Sequence, residues 1–100
     1  MEVDVVSTEE CAVIRLKGRF DRLARSDFLD AVERAMADAA DEIRVDLGSV
    51  NYLDSTGLGL LLIVRDKAND VGKWVTLANP QGSVRNILEI ARFDKLFAWI

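Results

Sequence analysis

The stretch "NYLDSTGLGLLLIV", Asn51 to Val64, decides how the chain is read. From Leu58 onward it is nearly unbroken apolar sequence, the content of a buried helix. Yet it opens on Asp54, Ser55 and Thr56 and carries Gly57 and Gly59 in what would be the first turns. A helical glycine costs about 1 kcal/mol relative to alanine. Asp54 is accounted for as a helix cap, because a short acceptor side chain there takes a backbone N–H that has no partner within the helix. Capping leaves the glycines unexplained. Removing a side chain lets another backbone or a bulky group come close, so this helix end looks shaped for approach rather than for stability. An exposed hydroxyl on a helix N-terminus is also an acceptor position for phosphate, because the helix dipole tolerates the added charge.

Outward from this helix, roughly Ser55 to Asn69, the chain alternates in period. Val3 and Val5 alternate with Glu2 and Asp4 as a short edge-like strand, and "STEE" is a polar turn. "CAVIRLKG" sets Ala12, Ile14 and Leu16 against Arg15 and Lys17, a strand expected to end at Gly18. "SDFLDAVERAMADAAD" places Phe28, Val32, Ala35 and Ala39 at helical spacing, with Ser26 as a cap and Asp27 and Asp30 near the positive end. "IRVDL" alternates again, and "GSVNYLD" reads as the loop into the next helix. Gly72 sits where a left-handed helix cap is common. "KWVTLA" is strand-like, Asn79-Pro80 marks a helix entry or the turn before one, and Val84, Ile87, Leu88 and Ala91 form a third helical stripe. "LFAWI" closes as a short strand. The order β-β-α-β-α-β-α-β implies parallel crossovers after an initial hairpin, hence an α/β domain over residues 1–100 with a mixed, mostly parallel sheet.

Composition narrows the function. The chain has 100 residues, half of them hydrophobic, and Lys plus Arg is 13 against 17 Asp plus Glu, a net charge of −4. That is one soluble domain's worth of sequence without the basic excess of a nucleic-acid binder. One cysteine, Cys11, rules out an intrachain disulfide and reads as a buried thiol at the head of an apolar strand. The acidic N-terminus lacks a signal-type apolar core, and no apolar run approaches the ~20 residues of a membrane span. A cytoplasmic location is expected. With no histidine, the Ser–His–Asp and Cys–His nucleophile systems and histidine metal sites are out. Gly57-Leu58-Gly59 lacks the third glycine of a dinucleotide loop, since position 62 is Leu. Asp54-Ser55-Thr56-Gly57 is one residue longer than the Asp-Ser/Thr-Gly of aspartic proteases and leads into a helix rather than a strand. Glu9-Glu10 and Asp41-Glu42 sit in polar turns, and Trp74 and Trp99 read as core or sheet-face residues. No enzyme, cofactor or metal is expected, and the chain should be monomeric when free.

"VNYLDSTGLGLLL", Val50 to Leu62, resembles the signature of STAS domains, specifically bacterial anti-sigma factor antagonists. "IRLKGRFD" resembles that family's second strand with its Leu-x-Gly-x-x-Asp pattern at Leu16, Gly18 and Asp21. "SVRNILEIARFDKLF" resembles its third helix and final strand, so the likeness covers nearly the whole chain. The resemblance implies a non-catalytic partner switch. Ser55 would be phosphorylated by an anti-sigma factor that is a GHKL-type serine kinase. The unmodified form would bind that factor and free a sigma factor, and a PP2C-type phosphatase would reverse the modification. Asp21, Asp54, Ser55, Thr56, Gly57, Leu58 and Gly59 would form the partner-binding surface. No cation is expected beside Ser55, because the nearest basic residue along the chain is Arg65. Two departures stand out: Ala24 replaces a common threonine, and the chain ends at Ile100 where many members continue into a fourth helix. Similar switches control secretion or motility. The other role the resemblance offers is an accessory STAS subunit of a transporter. That class often has Thr or no hydroxyl at the Ser55 position, so Ser55 favours the switch.

Overall fold

In the computed structural model, which describes residues Met1 to Ile100, five strands form one sheet in the order β1-β2-β3-β4-β5. They are β1 (Glu2–Ser7), β2 (Cys11–Phe20), β3 (Glu42–Leu53), β4 (Trp74–Ala78) and β5 (Ala98–Trp99). β1 runs antiparallel to β2 and every later pairing is parallel. The helices are α1 (Arg25–Met36), α2 (Ser55–Asp70) and α3 (Gly82–Ile90), with no α-helix after β5. This is the α/β architecture, mixed and mostly parallel, that the alternation of periods implied.

The core follows the patterning. Ala12, Ile14, Leu16 and Phe20 of β2 and Ile43, Val45 and Leu47 of β3 are buried. They join Phe28, Ala31, Val32 and Ala35 of α1, Leu60, Leu61, Val64 and Ala68 of α2, and Val84 and Leu88 of α3 in one contiguous cluster. Phe20 and Phe28 meet with ring centroids 4.9 Å apart, a favourable tilted pair that ties the end of β2 to α1. Cys11 is buried at 3% exposure, as its position at the head of an apolar strand suggested. Gly72 adopts the left-handed conformation just past α2, with φ +74°.

Several boundaries differ from the sequence reading, each for a local reason. β2 does not stop at Gly18 but runs to Phe20, and "GSVNYL" is the continuation of β3 rather than a loop. The two extensions pair with each other, Lys17 with Ser49 and Gly18 with Val50, then Arg19 with Tyr52 and Phe20 with Leu53. The register slips between Arg15 and Lys17 and again between Gly18 and Arg19. Bulges of this kind break the period-2 signal while the ladder continues. Gly18 takes φ +105° at the slip, where a side chain would be strained. α1 starts at Arg25 after a 3-10 turn, Arg22–Ala24, and its N-cap is Ala24 without a side-chain bond, so Ser26 is not the cap. α1 ends at Met36, which leaves Ala39 exposed, and Ala91 likewise lies exposed beyond α3. The last strand shrinks to Ala98–Trp99 because Phe93–Lys95 forms a 3-10 turn. Trp74 is 53% exposed rather than packed.

The glycines of the opening stretch separate cleanly. A Cβ on Gly57 would lie 2.5 Å from both the Phe20 carbonyl oxygen and Leu53 Cδ1, whereas a Cβ on Gly59 would meet nothing within 4 Å. Gly57 is therefore a packing requirement and Gly59 is not. Gly57→Ala is expected to destabilise the fold by about 1–3 kcal/mol, the range for overpacking a filled interior. Gly59→Ala should leave stability unchanged or raise it by up to ~1 kcal/mol. Urea unfolding of the two variants checks this; equal midpoints would remove the distinction.

Candidate functional site

The ends of β2 and β3 and the start of α2 converge at one edge of the molecule. Gly57 seats the first turn of α2 directly on the Phe20 backbone. Asp54 then caps the helix: its Oδ1 accepts the N–H of Thr56 at 3.0 Å and of Gly57 at 3.2 Å. Its Oδ2 accepts the Tyr52 hydroxyl at 3.3 Å. Both carboxylate oxygens are thus occupied by the chain's own donors. Ser55, the first residue of α2, is exposed; Thr56, Leu58 and Gly59 are half-buried. Ser55 and Gly59 are four residues apart and share one helix face.

The second part of the site comes from β2. The Arg19 guanidinium carbon lies 3.8 Å above the centre of the Tyr52 ring, a cation–π stack made possible by the register that puts these residues side by side. Arg19 Nε approaches Asp21 Oδ2 at 3.4 Å. Asp21 Oδ1 in turn accepts the N–H of Leu23 at 3.0 Å and so caps the 3-10 turn. Asp21, Arg19, Tyr52 and Asp54 form one continuous chain of contacts leading to Ser55. Beside it Leu23 is 77% exposed, at the rim of a shallow groove that includes Arg22, Arg25 and Leu29.

Of the residues singled out in the sequence, Asp21, Asp54, Ser55, Thr56, Leu58 and Gly59 lie around this edge. Gly57 is the correction: it is buried and faces the Phe20 carbonyl, so it cannot offer a surface to a partner. The expectation that no cation stands near the start of α2 is also corrected, by Arg19, which strand pairing brings to Tyr52. Arg19, Tyr52 and Leu23 were not singled out. Leu23 carries a legible signal, a lone large apolar residue in the polar run "DRLARSD". The Arg19–Tyr52 stack carries none, since it exists only through the bulged register. No group of three His, Cys, Asp or Glu side chains converges as a metal site would need, and no helix is long and apolar enough to cross a membrane.

Residues 3–98 match the family model described as "Mlab, STAS domain". The chain belongs to the STAS-domain family. It is 45% identical over 84 residues to the STAS-domain containing protein PA14_20770 of Pseudomonas aeruginosa, covering 84% of this chain and 82% of that one. It is 28% identical over 96 residues to the anti-sigma-F factor antagonist RsfB of Mycobacterium tuberculosis, covering 95% of this chain and 77% of that one. The fold is that of the anti-sigma factor antagonist SpoIIAA in its unphosphorylated form, with TM-score 0.75 and 24% identity over 99% of this chain and 87% of that one. SpoIIAA of Bacillus in its phosphorylated form matches at TM-score 0.67, with 22% identity over 99% and 91% of the two chains. A sulfate transporter family protein from Wolinella succinogenes shares the fold too, at TM-score 0.72 and 12% identity over 87% and 74%. Anti-sigma factor antagonists of this family are non-enzymatic regulators, which agrees with a sequence that offers no catalytic constellation.

The cap makes a separable contribution to stability. Asp54→Ala is expected to cost about 0.5–2 kcal/mol, and Asp54→Asn much less, because its amide oxygen can still accept the two N–H groups. Thermal or urea unfolding of both variants reads this, and an unaffected Asp54→Ala protein would refute the capping role.

Proposed function

We propose that this STAS domain is a phosphorylation-controlled partner switch acting through the start of α2. The observation that carries the reading is an exposed serine, Ser55, at the first position of a helix packed closely on the end of β2 through Gly57. Unmodified, the surface formed by Asp21, Asp54, Ser55, Thr56, Leu58 and Gly59 docks on an anti-sigma factor that is also a serine kinase of GHKL type, and a sigma factor or other target is released. In the modification, Ser55 Oγ attacks the γ-phosphorus of ATP and loses its proton, and ADP departs. The proton acceptor is assigned to the kinase, since three acceptor positions of the adjacent Asp54 already serve the helix cap and the Tyr52 hydroxyl. A PP2C-type phosphatase returns the serine. The names of the relatives support the antagonist role, and the existence of SpoIIAA in phosphorylated and unphosphorylated forms supports phosphorylation as a modification of this fold.

The phosphate adds roughly −1.5 to −2 charges at pH 7. The fold tolerates them, since Ser55 is exposed and the cap is made by its neighbour. A docked partner does not, because it must desolvate the phosphate against a surface fitted to a bare hydroxyl. Partner affinity should fall by about 1–3 kcal/mol, the usual size of a coupling free energy, with little change in melting temperature. A role as accessory subunit of a transporter is the second reading, favoured by the shared fold of the transporter family protein. It needs no kinase.

Incubation with the cognate kinase and ATP, followed by peptide mass spectrometry, tests the assignment. Phosphate is expected on Ser55, abolished in Ser55→Ala, and retained in Thr56→Ala. Phosphate on Thr56, or on neither residue, refutes it.

A further inference from the structure

Arg19 is a cation with spare capacity beside the proposed switch. Its guanidinium rests on the Tyr52 ring at 3.8 Å, and its one ion pair, Nε to Asp21 at 3.4 Å, is long beside the 2.7–2.9 Å of a strong charge-assisted bond. The side chain is 62% exposed, and of its N–H groups only Nε has an acceptor within the chain. Asp21 does not depend on it, because its other oxygen holds the Leu23 N–H at 3.0 Å. Tyr52 points from beneath Arg19 toward the start of α2, where its hydroxyl meets Asp54, the residue before Ser55. The Thr56 and Gly57 amides at that helix end are already taken by Asp54 Oδ1. A phosphate on Ser55 would therefore find the Thr56 and Gly57 donors occupied, only its own backbone N–H left among the first-turn donors, and a carboxylate alongside. The one unsaturated cation connected to it by side-chain contacts is Arg19.

We propose that Arg19 is a switch-reading residue: when Ser55 carries phosphate, the guanidinium turns along the Tyr52 face from Asp21 to the phosphate oxygens. The planar donor fork of arginine suits a phosphate, and stacking on an aromatic face leaves its edge available for hydrogen bonding. The inference rests on the Ser55 reading above and adds a second consequence to it. In the unmodified protein the Arg19–Tyr52 shelf is open to a partner. In the modified protein the same arginine is drawn to the phosphate and the shelf is withdrawn, so the switch alters two neighbouring patches at once.

The test uses the full chain with phosphoserine placed at position 55 during translation, so no kinase is involved. A failed kinase reaction would strike the phosphorylation reading and leave this measurement standing. The phosphate's second ionisation is followed by 31P NMR at low ionic strength in the parent, Arg19→Gln and Arg19→Lys backgrounds, with circular dichroism melts to verify folding. A cation a few ångströms away should lower that pKa, so Arg19→Gln is expected to raise it by about half a pH unit or more. Arg19→Lys, which keeps the charge and loses the planar fork, should fall between. Equal phosphate pKa values in the parent and Arg19→Gln proteins would overturn the proposal, as would a lysine variant indistinguishable from the glutamine one.

Discussion

The contact between Gly57 and the Phe20 carbonyl is the constraint on which the arrangement of the site depends. With no side chain at position 57, the first turn of α2 lies against the end of β2 closely enough that any Cβ would collide with backbone. Backbone cannot swing away as a side-chain tip can, so this sets the height and rotation of the helix start. Helical geometry does the rest. Turning 57 inward sends Leu60, Leu61 and Val64 into the core and carries Ser55 outward. Gly59 lies one turn beyond Ser55 on the same face, in open space. Two glycines two residues apart thus do unrelated jobs, one holding the helix down and the other keeping its outer face flat.

Most of the architecture was legible because burial imposes its period directly on residue choice. Ile14 and Leu16, then Ile43, Val45 and Leu47, alternate because one face of each strand is covered, and Phe28, Val32 and Ala35 recur at helical spacing because α1 buries one stripe. That imprint is lost where the backbone departs from regularity. Beyond Leu47 the ladder slips twice in register, so Val50 and Leu53 are both buried yet three residues apart, a spacing that matches no strand template. The parallel partner of that segment, Lys17 to Phe20, lies more than thirty residues earlier. Nothing local to either stretch announces the pairing.

The same limit governs the site. Asp54, Ser55, Thr56 and Gly59 could be placed at a helix start because they fall within one short stretch whose chemistry is that of a helix start. Asp21 was reached only through family resemblance. Arg19 and Tyr52 were invisible because their juxtaposition is a product of the slipped register, and Gly57 was misread because sequence cannot say which neighbour a missing side chain makes room for. An inward reason and an outward reason for glycine look identical until the opposing backbone is in place.

A switch built at such a position works by local chemistry rather than by refolding. Asp54 has already satisfied the helix end, with two amides on one oxygen and the Tyr52 hydroxyl on the other. A charge added to Ser55 therefore has no cap to displace, and it sits outside the core that holds the fold. In a design where the serine itself were the cap, phosphorylation would compete with helix formation, and signalling would be inseparable from stability. Here the neighbouring aspartate takes the structural task, and under the proposed switch that leaves the hydroxyl free for regulation. The proposed switch is consistent with an acid preceding the serine and with a helix start anchored by the buried Gly57. The rigid seat also sharpens the response. Because the helix end cannot yield, a partner fitted to the bare hydroxyl has no way to accommodate a phosphate except by losing contact.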